Sequence, residues 1–147
     1  MKAAFTQIYA RNIWGSGSGD GSLPKHTKGY RRFLERFIRD KQIKSVVDYG
    51  CGDWQFSRLI NWDGVRYLGL DIVDSLIEHN LKTYRKDNIT FEVLGGTPAQ
   101  LPDAELIILK DVLSALVVSI NQVVLTENRQ VQVCAHHELR QPERANG

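Results

Sequence analysis

A chain of 147 residues, 42% hydrophobic and 24% charged, suffices for one domain with a core of its own and has the composition of an ordinary globular protein. Its formal net charge of +2 does not by itself announce a nucleic-acid binder, and its two cysteines form neither a disulfide framework nor a zinc spacing, so a reducing, cytoplasmic setting is the default. No apolar run reaches the roughly 18 residues of a membrane span, because Lys110 and Asp111 interrupt the best candidate, and Lys2 with the short apolar stretch after it does not read as a signal peptide.

Residues 1–13 offer Phe5, Ile8 and Tyr9 for packing. Residues 14–22, rich in glycine and serine, read either as a flexible linker or as a lid that orders over a pocket. Residues 23–44 carry the clearest periodicity: Tyr30, Phe33, Leu34, Phe37 and Ile38 fall at i, i+3, i+4, i+7 and i+8, an apolar stripe along a helix. The rest of that segment is basic, with Lys25, Lys28, Arg31, Arg32, Arg36, Arg39, Lys41 and Lys44 against Glu35 and Asp40. Such a run is ordinarily a solvated face; the functional reading is a patch for an anionic substrate, RNA or a phosphorylated metabolite, and nucleic acid is not the favoured partner.

The run Ser45-Val46-Val47-Asp48-Tyr49-Gly50-Cys51-Gly52-Asp53-Trp54 begins as a buried parallel strand and breaks into two glycines, which let backbone N–H groups approach a ligand closely. Asp48, near the carboxyl end of that strand, suits a ligand amine or hydroxyl and would repel a pyrophosphate. A dinucleotide fingerprint needs a third glycine where Gln55 stands. Asp71 ends a second strand, residues 65–72, about 20 residues past the glycines, the distance at which an acid reaches a ribose hydroxyl pair. Between them, residues 53–60 read as a short helix, with Trp54 either core or the wall of a cofactor pocket. Ser75-Leu76-Ile77-Glu78 has the capping-box pattern and starts a helix to about Tyr84 with Ile77, Leu81 and Tyr84 inward; His79 reads as surface.

Residues 89–94 form a third strand candidate and residues 105–109 a fourth, with Lys110 and Asp111 at its carboxyl end. Those two are candidates for chemistry, and Asp111 equally for a helix cap. Beyond Val112 helix and strand patterns overlap. Residues 125–147 read as a tail without period or caps, in which Cys134, His136 and His137 are more simply incidental than metal ligands.

The two runs Val47-Asp48-Tyr49-Gly50-Cys51-Gly52-Asp53-Trp54 and Tyr67-Leu68-Gly69-Leu70-Asp71-Ile72-Val73 resemble the first two motifs of class I S-adenosylmethionine-dependent methyltransferases. The segments Trp14-Gly15-Ser16-Gly17-Ser18-Gly19-Asp20-Gly21-Ser22 and Leu109-Lys110-Asp111-Val112-Leu113 resemble a bacterial branch of small members of that superfamily. The resemblance, over roughly residues 8–115, implies an α/β fold: a Rossmann-like three-layer sandwich with a mostly parallel sheet, spanning residues 23–124 after an N-terminal segment, 1–22. It implies S-adenosylmethionine as cofactor, with Asp48 and the Gly50, Cys51 and Gly52 backbone on the methionine end, Trp54 beside them, Asp71 on the ribose and Ile72 on the adenine. Lys110 or Asp111 would face a methyl acceptor, a small molecule or an oxygen nucleophile, since no Asn-Pro-Pro-Tyr-type segment occurs. Gly95, Gly96 and Thr97 stand where the superfamily commonly has an acid for the adenine amino group. The family sheet has seven strands and four are legible here, so the sheet is expected to be incomplete, with an open edge beyond the fourth strand available for self-association. The competing expectation is a truncated, inactive cofactor-binding or interaction module.

Overall fold

The computed structural model describes residues 2–95, 102–110 and 130–134. Its helices are α1 (Lys2–Ala10), α2 (Lys28–Asp40) and α3 (Asp74–Tyr84), and its strands β1 (Ser45–Tyr49), β2 (Arg66–Asp71), β3 (Ile89–Val93), β4 (Leu106–Lys110) and β5 (Gln130–Cys134). All neighbouring strands run parallel, in the order β3-β2-β1-β4-β5. This is the doubly wound arrangement: the chain builds outward from β1 through β2 to β3, then returns to the other side of β1 with β4.

The run of valines in β1 makes sense in this position, because a central parallel strand is covered on both faces and has no polar side to present. Pairing Val46 with Tyr67 and Leu106, and Tyr67 with Ile89, puts these residues on one face. There they cluster with Leu34 and Ile38 of α2, Ile77 of α3, and Trp54, Phe56 and Trp62 from the β1–β2 connection. The other face gathers Val47, Leu70 and Ile107, with Tyr49, Leu68, Leu94, Ala104 and Leu109 around them, and no described helix contributes to it. One helical layer of the expected sandwich is therefore present among the described residues.

Several local expectations are corrected. Residues 53–60 do not form a helix; only a 3-10 turn, Ser57–Leu59, is present, because Trp54 takes a left-handed conformation with φ 60° that no right-handed helix can contain. The capping box at Ser75 is not used: α3 begins at Asp74, after Val73, with no side-chain cap. Phe33, expected in the apolar stripe of α2, is 46% exposed, whereas Leu34 and Ile38 are buried and Tyr30 and Phe37 pack at the margin. The expected tail contains β5, whose Gln130 to Cys134 pair with Leu106 to Lys110, so β4 is not the edge of the sheet. The second half of the helix-or-strand question, residues 112–124, lies outside the described residues, as do His136 and His137.

Gly69 fixes how closely the β1–β2 connection can settle on the sheet. A Cβ there would lie 2.6 Å from Phe91 Cδ1 and 3.0 Å from Cys51 Sγ. Gly69→Ala is expected to destabilise the protein by about 1–3 kcal/mol through overpacking, read as a lowered urea midpoint with unchanged m-value.

Candidate functional site at the carboxyl edge of β1 and β2

The glycine turn that follows β1 is built by hydrogen bonds to β2. The N–H groups of Gly50 and Cys51 both donate to the Leu70 carbonyl, at 2.7 and 3.0 Å, which folds the chain back over the tip of β2. Gly50 and Gly52 have φ of 80° and 56°, the left-handed region that glycine enters without cost.

Asp71 closes this turn. Its Oδ2 accepts from the Gly52 N–H at 3.0 Å and its Oδ1 from the Val73 N–H at 3.0 Å, so one carboxylate spans the end of β1 and the start of α3. The second bond supplies the ordered entry into α3 that the unused capping box would have given. The side chain is buried, and burial raises its pKa above the ordinary carboxylate value despite the N–H donors of Val73, Gly52 and Ile72, which pull it down. Each oxygen of an ionised carboxylate has two lone pairs, so Asp71, with three N–H groups directed at it, keeps room for a further donor. Ile72, beside it, is half-buried.

Asp48, expected on the methionine end of a ligand, stands near the carboxyl end of β1 as its position in the sequence suggests, with its side chain buried. It is 4% exposed and on the face covered by α2; its Oδ2 accepts the Tyr67 hydroxyl at 2.6 Å and the Ser57 hydroxyl at 3.5 Å. The strand's alternation causes this, since Asp48 shares the Val46 and Tyr67 side of the sheet. Burial, and then the Asp48 carboxylate, push the Tyr67 phenol well above its usual value, so it remains the donor. Trp54 is likewise core: its ring packs against Tyr67, Tyr84 and Phe91 with centroids 5.6, 5.0 and 5.2 Å away. Cys51 is buried, with its thiol pushed well up by burial and then by Asp48 and Asp71, so it stays protonated. The backbone of Lys110 ends β4 two residues beyond Ile108, the partner of Asp48, and Asp111 lies outside the described residues.

Residues 14–22, expected as a linker or a lid, and Tyr9, expected to pack on the domain, complete the arrangement. The glycine- and serine-rich segment lies on the glycine turn. Ser18 Oγ donates to Asp53 Oδ1 at 2.7 Å and accepts the Asp53 N–H at 3.2 Å, and the Ser18 N–H donates to Asp53 Oδ2 at 3.2 Å. The Tyr9 hydroxyl meets Ser18 Oγ at 2.9 Å, and Gln55 Nε2 donates to the Ser16 carbonyl at 2.7 Å. A Cβ on Gly52 would fall 2.4 Å from Ser18 Oγ and 3.1 Å from the Tyr9 hydroxyl, so Gly52 must be bare for this segment to seat. Only the composition of residues 14–22 hinted at this; the pairing of Asp53 and Tyr9 with Ser18 had no sequence signal, since Ser18 is 35 and nine residues away.

No family model matches the chain, and no curated protein matches it. Solved structures similar to it include methyltransferases. They include the plantazolicin methyltransferase BpumL in complex with SAH, at TM-score 0.49 and 17% identity, covering 74% of this chain and 46% of that one. The magnesium protoporphyrin IX methyltransferase ChlM from Synechocystis PCC 6803 with bound SAH also has TM-score 0.49 and 17% identity, covering 71% and 52%. The N-methyltransferase NodS from Bradyrhizobium japonicum WM9, in complex with S-adenosyl-L-homocysteine, has TM-score 0.48 and 16% identity, covering 62% and 47%. The chain spans about half the length of these structures. No helix among the described residues is long and apolar enough to cross a membrane, and no group of His, Cys, Asp and Glu among them is placed to hold a metal ion.

Two outcomes follow from this geometry. Ser18→Ala removes the hydroxyl that joins Tyr9 to Asp53; at about 1 kcal/mol or more per lost bond, amide exchange across residues 14–22 should accelerate about tenfold, while exchange in β1 and β2 is unchanged. Asp71 should also shape the pH dependence of stability. Its folded pKa is raised, so the stability it contributes is present at pH below its ordinary range and is lost as pH rises through the folded value. In urea titrations across acid pH, that decline should be shallower in Asp71→Asn than in the parent.

Proposed function

We propose that the carboxyl edge of β1 and β2 binds S-adenosylmethionine and that the protein is a methyltransferase. The observation that carries the reading is the Asp71 carboxylate, which faces the glycine turn at the end of β2, bonded to Gly52 and Val73 yet with acceptor capacity for a further donor. A ribose offers a hydroxyl donor to such a group. Half-buried Ile72 follows Asp71 and is suited to an adenine face. The Gly50, Cys51 and Gly52 backbone would take the methionine end. Asp48 supports that turn from below through Tyr67 and Ser57, and Trp54 through its packing, so both act on a ligand through the turn's position.

The cofactor would supply a methyl group on a sulfonium, whose thioether leaving group needs no protonation. What remains for the chain is alignment and the exclusion of water. Residues 14–22 would serve the second task, a reading supported by the close approach of Ser18 and Tyr9 to Gly52. Lys110 and Asp111, following β4, are the residues proposed to face the acceptor, an oxygen nucleophile or small molecule. At the switch point of a doubly wound sheet, the ends of β1 and β4 border the same crevice.

Calorimetry with S-adenosylmethionine and S-adenosylhomocysteine tests the reading. Asp71→Asn keeps the shape but replaces one acceptor oxygen by an N–H donor and removes the charge; at roughly 1.5–3 kcal/mol for a bond to a charged group, loss of one ribose hydroxyl bond should weaken binding by about 100-fold. Equal affinity in a variant that melts like the parent would refute the site. Heat with NADH and none with the sulfonium ligand would return the fold to dinucleotide binding. Binding without methyl transfer to any acceptor would identify a cofactor-binding module.

A further inference from the structure

The basic residues of α2 are concentrated where the charge of the whole chain conceals them. Residues 25–44 hold eight Lys or Arg against two acids, whereas the remaining sequence holds 11 against 15, so a chain of net charge +2 is strongly polarised. The two acids still leave the segment at a formal net charge of +6. Glu35 Oε1 accepts the Asn61 N–H at 3.1 Å, and Asp40 pairs with Arg39 at 3.3 Å. The ion pairs among the described residues are that one and Lys2–Asp74, which leaves Lys25, Lys28, Arg32 and Arg36 exposed and unpaired by any of them.

Helix geometry lines these charges up. Lys28, Arg32 and Arg36 are four residues apart and fall on one side of α2, a row about 12 Å long at 1.5 Å per residue. Arg32 and Arg36 each lie two residues from the buried Leu34, about 200° around the helix, and so point away from the core. Phe33 flanks the row, 46% exposed, its ring tilted against Phe37 with centroids 6.1 Å apart. A row of unneutralised cations beside an exposed aromatic ring has the chemistry for phosphates spaced along a strand whose bases can stack.

We propose that this face of α2 binds a single-stranded nucleic acid, with Lys25, Lys28, Arg32 and Arg36 on its phosphates and Phe33 against a base. An anionic membrane is the lesser fit, because an interfacial helix inserts its apolar side and that side of α2 is already spent on the core, through Leu34 and Ile38. The surface starts at the functional edge: Lys25 is three residues after Ser22, whose hydroxyl donates to the Ser18 carbonyl, and Ser18 is bonded to Asp53 of the glycine turn. The proposal stands apart from methyl transfer and does not rest on it.

Fluorescence anisotropy of the full chain with labelled oligouridine and oligothymidine of about ten nucleotides tests it. Four phosphate contacts on a single strand give a log–log salt slope of about −3, an affinity loss of about 50-fold between 50 and 200 mM salt. In Arg32→Gln/Arg36→Gln the slope should fall to about −1.4, a loss of about 7-fold over the same range, and Arg32→Lys/Arg36→Lys should restore it. Phe33→Ala should weaken binding without changing the slope. RNA and DNA bound alike would support backbone recognition. No binding at 50 mM salt, or the same slope in the double Gln variant, would overturn the proposal. So would retention on phosphatidylserine vesicles without binding to either oligonucleotide. The double variant's heat with S-adenosylhomocysteine should match the parent's, which separates this surface from the site at Asp71.

Discussion

The Asp71 carboxylate receives the N–H of Gly52 on one oxygen and that of Val73 on the other. It thereby fixes the turn after β1 relative to the start of α3, two segments that have no ladder hydrogen bond in common. An ionised acid is costly to bury, and burial raises the pKa of Asp71. Backbone donors reduce the penalty without removing it. A group kept under these conditions at the tip of a parallel strand is poised to take further donors, which is the property on which the proposed ligand site depends.

A second buried acid has a different role for a geometric reason. Asp48 and Asp71 sit on neighbouring strands and on the same face, yet Asp48 comes one residue before the end of β1 and is covered by the β1–β2 connection. Its bond with Tyr67 ties β1 to β2 beneath that cover. Trp54 seals the same region, and its left-handed backbone is held by the rings of Tyr67, Tyr84 and Phe91. A conformation that costs on the order of 1–3 kcal/mol persists here because the surroundings over-determine it.

The N-terminal third of the chain is built around the same turn. Residues 14–22 would be a linker by composition, but Asp53 and Gln55 give their backbone and Ser18 hydrogen-bond partners, and α1 adds Tyr9 from outside. Lys2 pairs with Asp74 at 2.6 Å, an exposed contact between α1 and the start of α3 that adds little to stability. From this segment α2 leads away along the sheet with one side in the core and the other carrying exposed charge.

What the sequence determined by itself was whatever depends on short-range pattern. The β-branched run into Gly50 and Gly52, the acid ending the second strand and the 3.6-residue period of residues 28–40 dictate a parallel strand, a tight turn and a helix with little help from the remainder. Ile77, Leu81 and Tyr84 turn inward on α3 as their spacing requires. Tertiary structure decided the rest, because it depends on which side chains meet across long stretches of chain. The strand's alternation turned Asp48 into the core, and the aromatic cluster drew Trp54 in with it. Asp71, not a Ser75 cap, governs the entry to α3. Ser18 reaches an acid 35 residues away. Hydrogen bonds at such separations leave no periodic trace in a sequence, so they become visible only when the chain is folded.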